Sequence, residues 1–257
     1  MSTQPLRTDG MLVVGGVSHD LDFVRLELLG MLAKWPWLRT SAVVDFEQAS
    51  TLAANHYLVS YTCDVRPSAA AEAALERFVT DGGRWFALHA TNAWLAWTPE
   101  GVASEHRRSP FFTTLGSAFV AHPPMGVFEV EVRAPNSPLL AGIHNFTVDD
   151  EELYLSEFLS EPDEVLLATR FSGDTPGFVV DHWPEQAWHP IMYRRRVGQG
   201  EVLYLALGHA RGHWDAPHRT PYYPRVERGA WTTPEFRELL RRGLAWAARL
   251  EEERNGT

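Results

Sequence analysis

The sequence has little cysteine, few basic residues and no long apolar run. Cys63 is the single cysteine among 257 residues, so no disulfide forms within the chain, and such usage is typical of a reducing compartment. The 33 Asp and Glu outnumber the 23 Lys and Arg, for a net charge of -10. This balance argues against a nucleic-acid partner, because phosphate binding needs clustered basic residues.

The sequence also lacks membrane and targeting signals. No apolar run approaches the roughly 20 residues of a membrane span, and residues 1–10 lack the apolar core of a signal peptide. We expect a cytoplasmic protein with no nucleic-acid or membrane partner.

The first half of the chain alternates strand and helix patterns. Apolar runs followed by turn signals predict four strands, at residues 11–14, 41–46, 57–63 and 85–88. Helix patterns begin after a capping Asp20 or Ser18 and again after Ser68, and the second one ends at Gly82. Short apolar strands that alternate with helices predict βαβ crossovers and a parallel sheet with helices on both faces.

The second half indicates an antiparallel extension of that sheet. Residues 128–132 alternate apolar and charged side chains, as a strand with one wet face does. Further strands are expected at residues 164–170, 191–197 and 201–207, the last two joined as a hairpin. Thr233 and Pro234 then begin a final helix. The predicted fold class is α/β, a mostly parallel open sheet with an antiparallel extension. It forms a single domain over residues 1–257, with an ordered core of about 10–250.

Two histidines follow predicted strands directly. The strand at residues 85–88 runs straight into His89, and His209 follows the strand at 201–207. In open α/β sheets, ligands bind outside the carboxyl ends of the strands, so titratable side chains placed there are candidate site residues. If both strands run parallel at the centre of the sheet, both rings reach the same edge. We therefore predict that His89 and His209 face one cavity.

Six short motifs, spread over nearly the whole chain, resemble those of one known family. They are Gly15-Gly16-x-x-His19-Asp20, Phe78-Val79-x-x-Gly82-Gly83 continuing to Leu88-His89-Ala90, His122 after Gly116, Pro138-x-x-x-Gly142, Asp150-Glu151-Glu152-Leu153-Tyr154, and Gly198-x-Gly200-x-Val202-x-Tyr204-x-x-x-Gly208-His209. Each motif is weak alone, but their order and spacing together are specific. The chain resembles the trehalose-utilisation, or ThuA-like, proteins. This resemblance implies the flavodoxin-like fold of the class I glutamine amidotransferase group.

The resemblance also implies a set of site residues gathered at one end of the sheet. The candidate catalytic residues are His89, Glu151, Glu152 and His209. Only one of the two neighbouring acids can point inward from a strand, and the sequence leaves open which. His89 and His209 are also candidate metal ligands. The candidate substrate-binding residues are His19, placed at the rim, together with His122, Trp94 and Tyr154.

The sequence departs from the family pattern in two places. Amidotransferases of this fold carry a nucleophilic cysteine on the turn that corresponds to His89 or Ala90, and this chain has none there. Cys63 lies one strand earlier and is interpreted as a small buried hydrophobe, so no amidotransferase activity is expected. The family commonly has His-Pro where this sequence has Ser137-Pro138, so no role for that histidine is carried over.

The implied site allows two chemistries. Imidazoles and a carboxylate can hold a divalent metal such as zinc or manganese, which polarises a carbonyl or water. Without metal, the same groups can act as general acid and base on a sugar hydroxyl or ketone. The expected function is catabolism of trehalose or a related disaccharide or keto-sugar, by a hydrolase or isomerase. The alternative is a non-catalytic sugar-binding or regulatory module. A small carbohydrate is the expected ligand, and a homodimer is a candidate assembly.

Aromatic and proline-rich segments suggest how a sugar would be held and covered. Trp94, Trp97, Trp183, Trp188 and Trp214 are expected in or beside loops, where flat aromatic faces suit stacking on sugar rings. Recurrent prolines predict that residues 211–228 form an irregular, mobile loop over the site. His213 lies four residues after His209, but the glycines at 208 and 212 argue against a helical pair of metal ligands there.

Overall fold

A nine-stranded sheet carries the fold in the computed structural model, which describes residues 7–105, 108–217 and 219–250. The strands are β1 (Thr8–Gly16), β2 (Leu38–Val43), β3 (Tyr57–Cys63), β4 (Arg84–Leu88), β5 (Leu95–Thr98), β6 (Gly101–Ser104), β7 (Ser117–Ala121), β8 (Gly126–Val132), β9 (Phe146–Glu151), β10 (Leu155–Phe158), β11 (Glu164–Asp174), β12 (His182–Val197) and β13 (Gly200–Leu205). The α-helices are α1 (Leu21–Leu32), α2 (Ala69–Thr80), α3 (Pro110–Leu115) and α4 (Pro234–Ala247).

The sheet has a parallel half and an antiparallel half. Its strand order is β2-β1-β3-β4-β13-β12-β11-β8-β9. The first five strands are parallel to one another, whereas β12, β11, β8 and β9 join by antiparallel pairing. This architecture confirms the predicted α/β class with an antiparallel extension. Two small ladders, β5 with β6 and β7 with β10, lie outside the main sheet and have no counterpart in the sequence prediction.

The helices α1, α2 and α4 begin where the sequence predicts, whereas the short α3 was not predicted. The carboxylate of Asp20 accepts a hydrogen bond from the backbone N–H of Phe23 (3.1 Å) and caps α1. The Ser68 hydroxyl accepts one from Ala71 (3.3 Å) and caps α2. Side-chain oxygens at this position satisfy N–H groups that have no partner inside a helix. Pro234 occupies the first position of α4, where a missing N–H costs nothing.

Alternation along each strand sends apolar side chains into two cores. On β1, Leu12 and Val14 pack with α1 and α4 on one face, and Met11 and Val13 pack with α2 and α3 on the other. Both faces of the parallel half are therefore covered, as such sheets require. Within the described ranges, no helix is long and apolar enough to cross a membrane.

The second strand was misplaced by the sequence prediction. It spans Leu38–Val43 rather than residues 41–46. Its parallel register with β1, from Thr8 opposite Leu38 to Val13 opposite Val43, decides where it begins. Beyond Val43 the chain turns, and the Asp45 carboxylate accepts a hydrogen bond from the N–H of Glu47 (3.0 Å). Local apolar content did not reveal this turn.

The register of the central strands fixes where the site lies. β4 and β13 are adjacent and parallel, with Leu88 opposite Leu205 at their carboxyl ends. The residues that follow these two strands therefore leave the sheet at the same edge. His89 comes directly after β4, and His209 lies on the turn after β13.

Gly243 is predicted to be essential to the packing of α4 on the sheet. A Cβ at this position would overlap the ring of the fully buried Phe86, so Gly243→Ala is expected to lower the free energy of unfolding by about 1–3 kcal/mol. Gly30 in α1 is the matched control, because a Cβ there meets no heavy atom within 4 Å. Gly30→Ala is expected to stabilise the protein by up to about 1 kcal/mol through helix propensity. Urea unfolding measures both, and equal effects would contradict the prediction.

Candidate metal centre

Four buried side chains converge at the carboxyl edge of the parallel strands. They are His19, His89, Glu152 and His209, and each offers a ligand atom within 4.8 Å of the others. His89 and His209 are fully buried, and their ring centroids lie 6.0 Å apart. His19 is 7% exposed and lies inside the cluster rather than at the rim that the sequence predicted.

Strained and locked turns position these side chains. His19 has φ +79° and His89 has φ +45°, left-handed conformations that are uncommon outside glycine and that persist only where the surroundings impose them. The Tyr204 hydroxyl donates to the carbonyl of His89 (2.7 Å). Tyr61 donates in the same way to the carbonyl of Gly208 (2.9 Å), next to His209. Two buried phenols thus hold the two strand-end turns.

The hydrogen bonds of His89 define which ring nitrogen faces the cluster. Its Nδ1 lies 2.8 Å from the carbonyl oxygen of Ala206. A carbonyl only accepts, so Nδ1 carries the proton and Nε2 presents a lone pair in the neutral ring. That Nε2 lies 3.1 Å from Nε2 of His19, whose own Nδ1 is buried without a partner among the described residues. Two imidazole nitrogens therefore point at each other.

His209 is held by a carboxylate on its outer side. Its Nε2 donates to Glu227 (2.9 Å), and this bond directs Nδ1 toward Glu152. Nδ1 lies 3.3 Å from Oε2 of Glu152, yet it makes no aligned hydrogen bond to any described residue. A carboxylate behind a histidine is the usual second partner of a metal-ligating imidazole, where it fixes the tautomer.

Of the two neighbouring acids, Glu152 faces the cluster. Its Oε2 lies 3.5 Å from Nε2 of both His19 and His89. Its other oxygen, Oε1, lies 3.2 Å from Arg211 and 3.7 Å from Nε2 of His122. One carboxylate thus reaches all three clustered imidazoles and a guanidinium.

Glu151, a candidate catalytic residue from the sequence, points away and binds backbone instead. Its carboxylate accepts hydrogen bonds from the N–H groups of Gly208, His209 (2.9 Å) and Ala230 (2.7 Å). It is 1% exposed and does not line the cavity described below. Glu151 therefore fixes the turn that carries His209, and of the two acids that the sequence left open, Glu152 is the one that faces the cluster.

Burial and charge together set the proton affinities in the cluster. Burial raises the pKa of Glu152, but the imidazoles of His209, His122 and His19 outweigh it and hold that pKa well below its usual range. Burial lowers the pKa of His19 and of His89. Burial also disfavours a charge on His209, but the carboxylates of Glu152 and Glu227 raise its pKa to about 10. Glu152 is therefore ionised at neutral pH, and His19 and His89 are neutral.

The cluster fits a divalent metal. Zinc bonds imidazole nitrogen and carboxylate oxygen at 2.0–2.2 Å, which places neighbouring tetrahedral ligands roughly 3.3–3.6 Å apart. Glu152 Oε2 lies 3.3–3.5 Å from the facing nitrogen of each of the three histidines. The 3.1 Å approach of Nε2 of His19 to the lone pair on Nε2 of His89, with Nδ1 of His209 facing the same carboxylate oxygen, gathers the donor atoms that an ion would bind. Three imidazoles with one carboxylate are a donor set typical of zinc.

A cavity of about 350 Å³ opens above the cluster. Its floor includes His19, Glu152 and Cys63, and its walls carry two of the predicted substrate-binding side chains, His122 and Tyr154. The other lining residues are Ser18, Ala93, Leu95, Trp97, Val102, Phe119, Met125, Pro176, Gly177, Phe178, Arg211, Ala216, Arg219, Thr220 and Tyr223. This volume lies at the small end of ligand-binding clefts, which span about 300–1,000 Å³.

The structure corrects the expectation for the tryptophans. Trp94 is 6% exposed and packs against Phe111 and Phe112, so it belongs to the core and does not line the cavity. Trp183 and Trp188 lie within β12 rather than in loops. Trp97 is the tryptophan that reaches the cavity, and it is 51% exposed. Trp94 was misassigned because its loop position gave no sign of the aromatic cluster beneath it.

Residues 211–228 form one wall of the cavity, as the sequence predicts, and residue 218 lies outside the described ranges. The described part contains no helix, and its ends are tied by reciprocal backbone hydrogen bonds between Arg211 and Glu227 (2.8 and 2.9 Å). The mobility of this segment stays a prediction. It supplies two residues that the sequence did not single out, Arg211 beside Glu152 and Glu227 behind His209.

Cys63 does not resemble a nucleophile. Burial raises the pKa of its thiol to about 12, and reactive cysteines are thiolates near neutral pH. The position after β4 that would carry the amidotransferase nucleophile holds His89, whose ring is committed to the cluster. The absence of glutaminase activity stays a prediction, which an assay of glutamine hydrolysis tests.

Comparison with known proteins identifies the family of this chain. A family model described as "Trehalose utilisation" matches residues 37–221, which is more than half of the chain. The chain belongs to the ThuA family. The match includes His89, Glu152 and His209, whereas His19 lies before it. A comparison with curated proteins gives no match.

Solved structures share the fold of this ThuA protein at low identity. A ThuA-like protein from Parabacteroides merdae is 16% identical, with a TM-score of 0.60 over 94% of this chain and 90% of that one. A ThuA-like protein from Bacteroides uniformis is 16% identical, with a TM-score of 0.62 over 96% and 94%. A protein from Salmonella typhimurium described as cytoplasmic is 12% identical, with a TM-score of 0.52 over 93% and 98%. These similarities establish the fold.

In the metal-free protein, His209 is predicted to make stability depend on pH. The pKa of His209 rises from 6.5 to about 10 on folding, so its ion pairs stabilise the folded state fully below pH 6.5, and this stabilisation is lost as the pH rises through 10. Between pH 7 and 10, the melting temperature of chelator-treated wild type should fall more steeply than that of His209→Gln.

The exposed His144 provides the control for this experiment. His144→Gln should follow the wild-type profile, because its ring is not part of the cluster. If the melting temperatures of wild type and His209→Gln fall in parallel with pH, folding does not raise the pKa of His209.

Proposed function

We propose that this ThuA-family protein is an enzyme of carbohydrate catabolism that acts on a disaccharide or keto-sugar at a divalent metal centre. The observation that supports it most directly is the set of three imidazoles and one carboxylate within 4.8 Å of one another, two of which, His19 and Glu152, line a cavity. His89 and His209 lie buried behind them and do not line it, contrary to the sequence prediction. The trehalose-utilisation family supplies the substrate class. The lone, buried cysteine and the related Salmonella protein described as cytoplasmic support a cytoplasmic location. A homodimer stays a prediction, which light scattering tests.

His19, His89, Glu152 and His209 would hold the ion. When bound, it would polarise a carbonyl or hydroxyl oxygen of a sugar and lower the pKa of that group or of a water. His89 can present only Nε2, because its Nδ1 donates to Ala206. His209 presents Nδ1, because its Nε2–H donates a hydrogen bond to the Glu227 carboxylate. The outer hydrogen bonds thus select one nitrogen on each ring before any ligand arrives.

The rest of the cavity would orient the sugar. Oε1 of Glu152 faces the open cavity, where His122 and Arg211 approach it. His122 Nδ1 donates to the carbonyl of Pro123 (2.8 Å), which leaves Nε2 on the cavity side as a proton acceptor in the neutral ring. Trp97 lines the mouth of the cavity, where the Arg219 guanidinium stacks over its ring. Binding, orientation and a nearby proton acceptor therefore come from side chains on different walls.

Two alternatives make different predictions for the same site. In the first, no metal binds and the close pair of His209 and Glu152 (3.3 Å) acts as acid and base. In the second, the protein binds a sugar without turning it over, as a regulatory module. Metal content separates the first alternative from the proposal, and turnover separates the second.

The metal assignment predicts stoichiometric binding that depends on His89 and not on His122. Purified wild type dialysed against zinc or manganese should retain about one ion per chain and melt at a higher temperature than the chelated form. His89→Gln should lose at least about tenfold in metal affinity, because it removes a ligand whose geometry is fixed by Ala206. His122→Gln is the control, since that ring lines the cavity but is not one of the four clustered donors.

Elemental analysis and metal-dependent melting measure this. Retention of the ion by His89→Gln, or no binding of zinc, manganese, iron, cobalt or nickel by wild type, would refute the metal centre and favour the acid–base alternative. His89 lies at a strand end and is fully buried, so the circular dichroism of each variant is checked first.

The enzymatic assignment predicts turnover of trehalose or one of its keto derivatives. We expect product formation with the metal-loaded protein and a loss of at least about 10²-fold in kcat for Glu152→Gln, which keeps the shape of the side chain but removes its charge. Chromatography of the reaction mixtures measures it. Tight binding of these sugars without product would instead establish the regulatory module.

A further inference from the structure

We infer that the sugar taken by this site carries a carboxylate, and that Arg219 binds it. Arg219 lines the cavity at its exposed mouth. This inference rests on the proposed carbohydrate function and narrows its substrate class to sugar acids.

The cavity is cationic in an acidic protein. The chain has a net charge of -10, yet among the described lining residues Glu152 is the only acid, against Arg211 and Arg219. The carboxylate of Glu152 is already matched by Arg211 and by the imidazoles around it. A neutral sugar would leave the remaining positive charge in the cavity without a counterion.

Arg219 differs from Arg211 in what it contacts. Arg211 forms ion pairs with Glu152 (3.2 Å) and with Glu227 (2.9 Å), so carboxylates already balance its charge. Arg219 makes no salt bridge with any residue that the structure describes. Its guanidinium stacks instead over the ring of Trp97, 4.5 Å from the centroid.

This stacking leaves the guanidinium edge free for a ligand. An aromatic ring occupies the face of the group, whereas the N–H donors lie in its plane and point outward. The turn that carries Arg219 is fixed by a hydrogen bond from its backbone N–H to the carbonyl of Ala216 (2.9 Å). A planar fork held in this way matches the two oxygens of a carboxylate.

The structure favours a carboxylate over a phosphate. The N-terminus of α1 follows the cavity-lining His19 and could in principle hold a phosphate. The Asp20 carboxylate already caps it, however, and also pairs with Arg228 (2.8 Å). One uncommitted guanidinium at the mouth suits a single negative charge. The substrate expected is therefore a glycoside with a uronate or aldonate group, its hydroxyls toward the cluster and its carboxylate toward Arg219.

The test compares two glycosides that differ only in charge. Methyl glucuronide and methyl glucoside are titrated into the metal-loaded protein by calorimetry, with glucose 6-phosphate as a third probe. We expect wild type to bind the glucuronide about tenfold or more tighter than the glucoside, the size of one charge-assisted hydrogen bond. Arg219→Gln should abolish this preference, and Arg219→Lys should restore only part of it.

A matched variant controls for net charge. Arg39 is exposed on β2, at the amino-terminal edge of the sheet and so at the opposite end from the site. Arg39→Gln removes the same charge and should keep the full preference. Arg219 is exposed, so its variants should melt and bind metal as wild type does, which separates a lost contact from a lost fold.

Three other results would overturn the sugar-acid inference or the proposed function, and each can be told from the others. Equal binding of the two glycosides, or a preference that survives in Arg219→Gln, overturns the sugar-acid inference and leaves the proposed function intact. Tighter, Arg219-dependent binding of glucose 6-phosphate replaces the carboxylate with a phosphate and also overturns it. Failure of all three probes to bind metal-loaded wild type removes the carbohydrate assignment itself.

Discussion

The buried carboxylate of Glu152 is the constraint around which this end of the molecule is built. An ionised carboxylate taken out of water costs several kcal/mol unless partners surround it. Glu152 is 4% exposed and nevertheless stays ionised, because three imidazoles lie within 3.5 Å of one oxygen and a guanidinium lies beside the other. Those partners come from the ends of different strands and from a distant loop. Satisfying one charge therefore requires that the whole edge of the sheet be assembled correctly.

Two further acids support this arrangement from outside. The Glu151 carboxylate accepts hydrogen bonds from backbone N–H groups in the turns at 208–209 and at 230. The Glu227 carboxylate accepts one from Nε2–H of His209. Neither touches the cavity floor as Glu152 does, but both decide where His209 sits and which nitrogen it offers. Removing either would leave a buried imidazole without a fixed orientation. The site thus depends on three carboxylates with three distinct tasks.

The sequence predicted the elements of the fold better than the pairings between them. Parallel strands with helical crossovers have strong local signals, so α1, α2 and β3 were placed correctly at their ends. The strand β2 was shifted because its register with β1, a non-local property, decides its bounds. The ladders β5 with β6 and β7 with β10 were missed, since short strands outside the main sheet leave no clear periodicity.

The candidate site, too, could be predicted from the sequence only in part. His89 and His209 could be predicted to meet, because both follow apolar strands and parallel strands share an edge. The choice between Glu151 and Glu152 could not be made, because both are buried and each satisfies a different set of donors. Glu227 left no signal at all, since it lies in a proline-rich segment far along the chain from His209's strand. Tertiary contacts alone identify it.

The segment 211–228 links the two halves of the proposed site. Its first residue contacts Glu152 and its near-terminal Glu227 holds His209, whereas its middle carries Arg219 at the mouth. Reciprocal backbone hydrogen bonds between Arg211 and Glu227 tie the two ends of the segment together, and their contacts with Glu152 and His209 hold those ends against the cluster. A loop anchored at both ends loses less conformational entropy when its middle closes on a ligand. Arg219 would therefore meet a sugar acid from a frame that the cluster already holds in place.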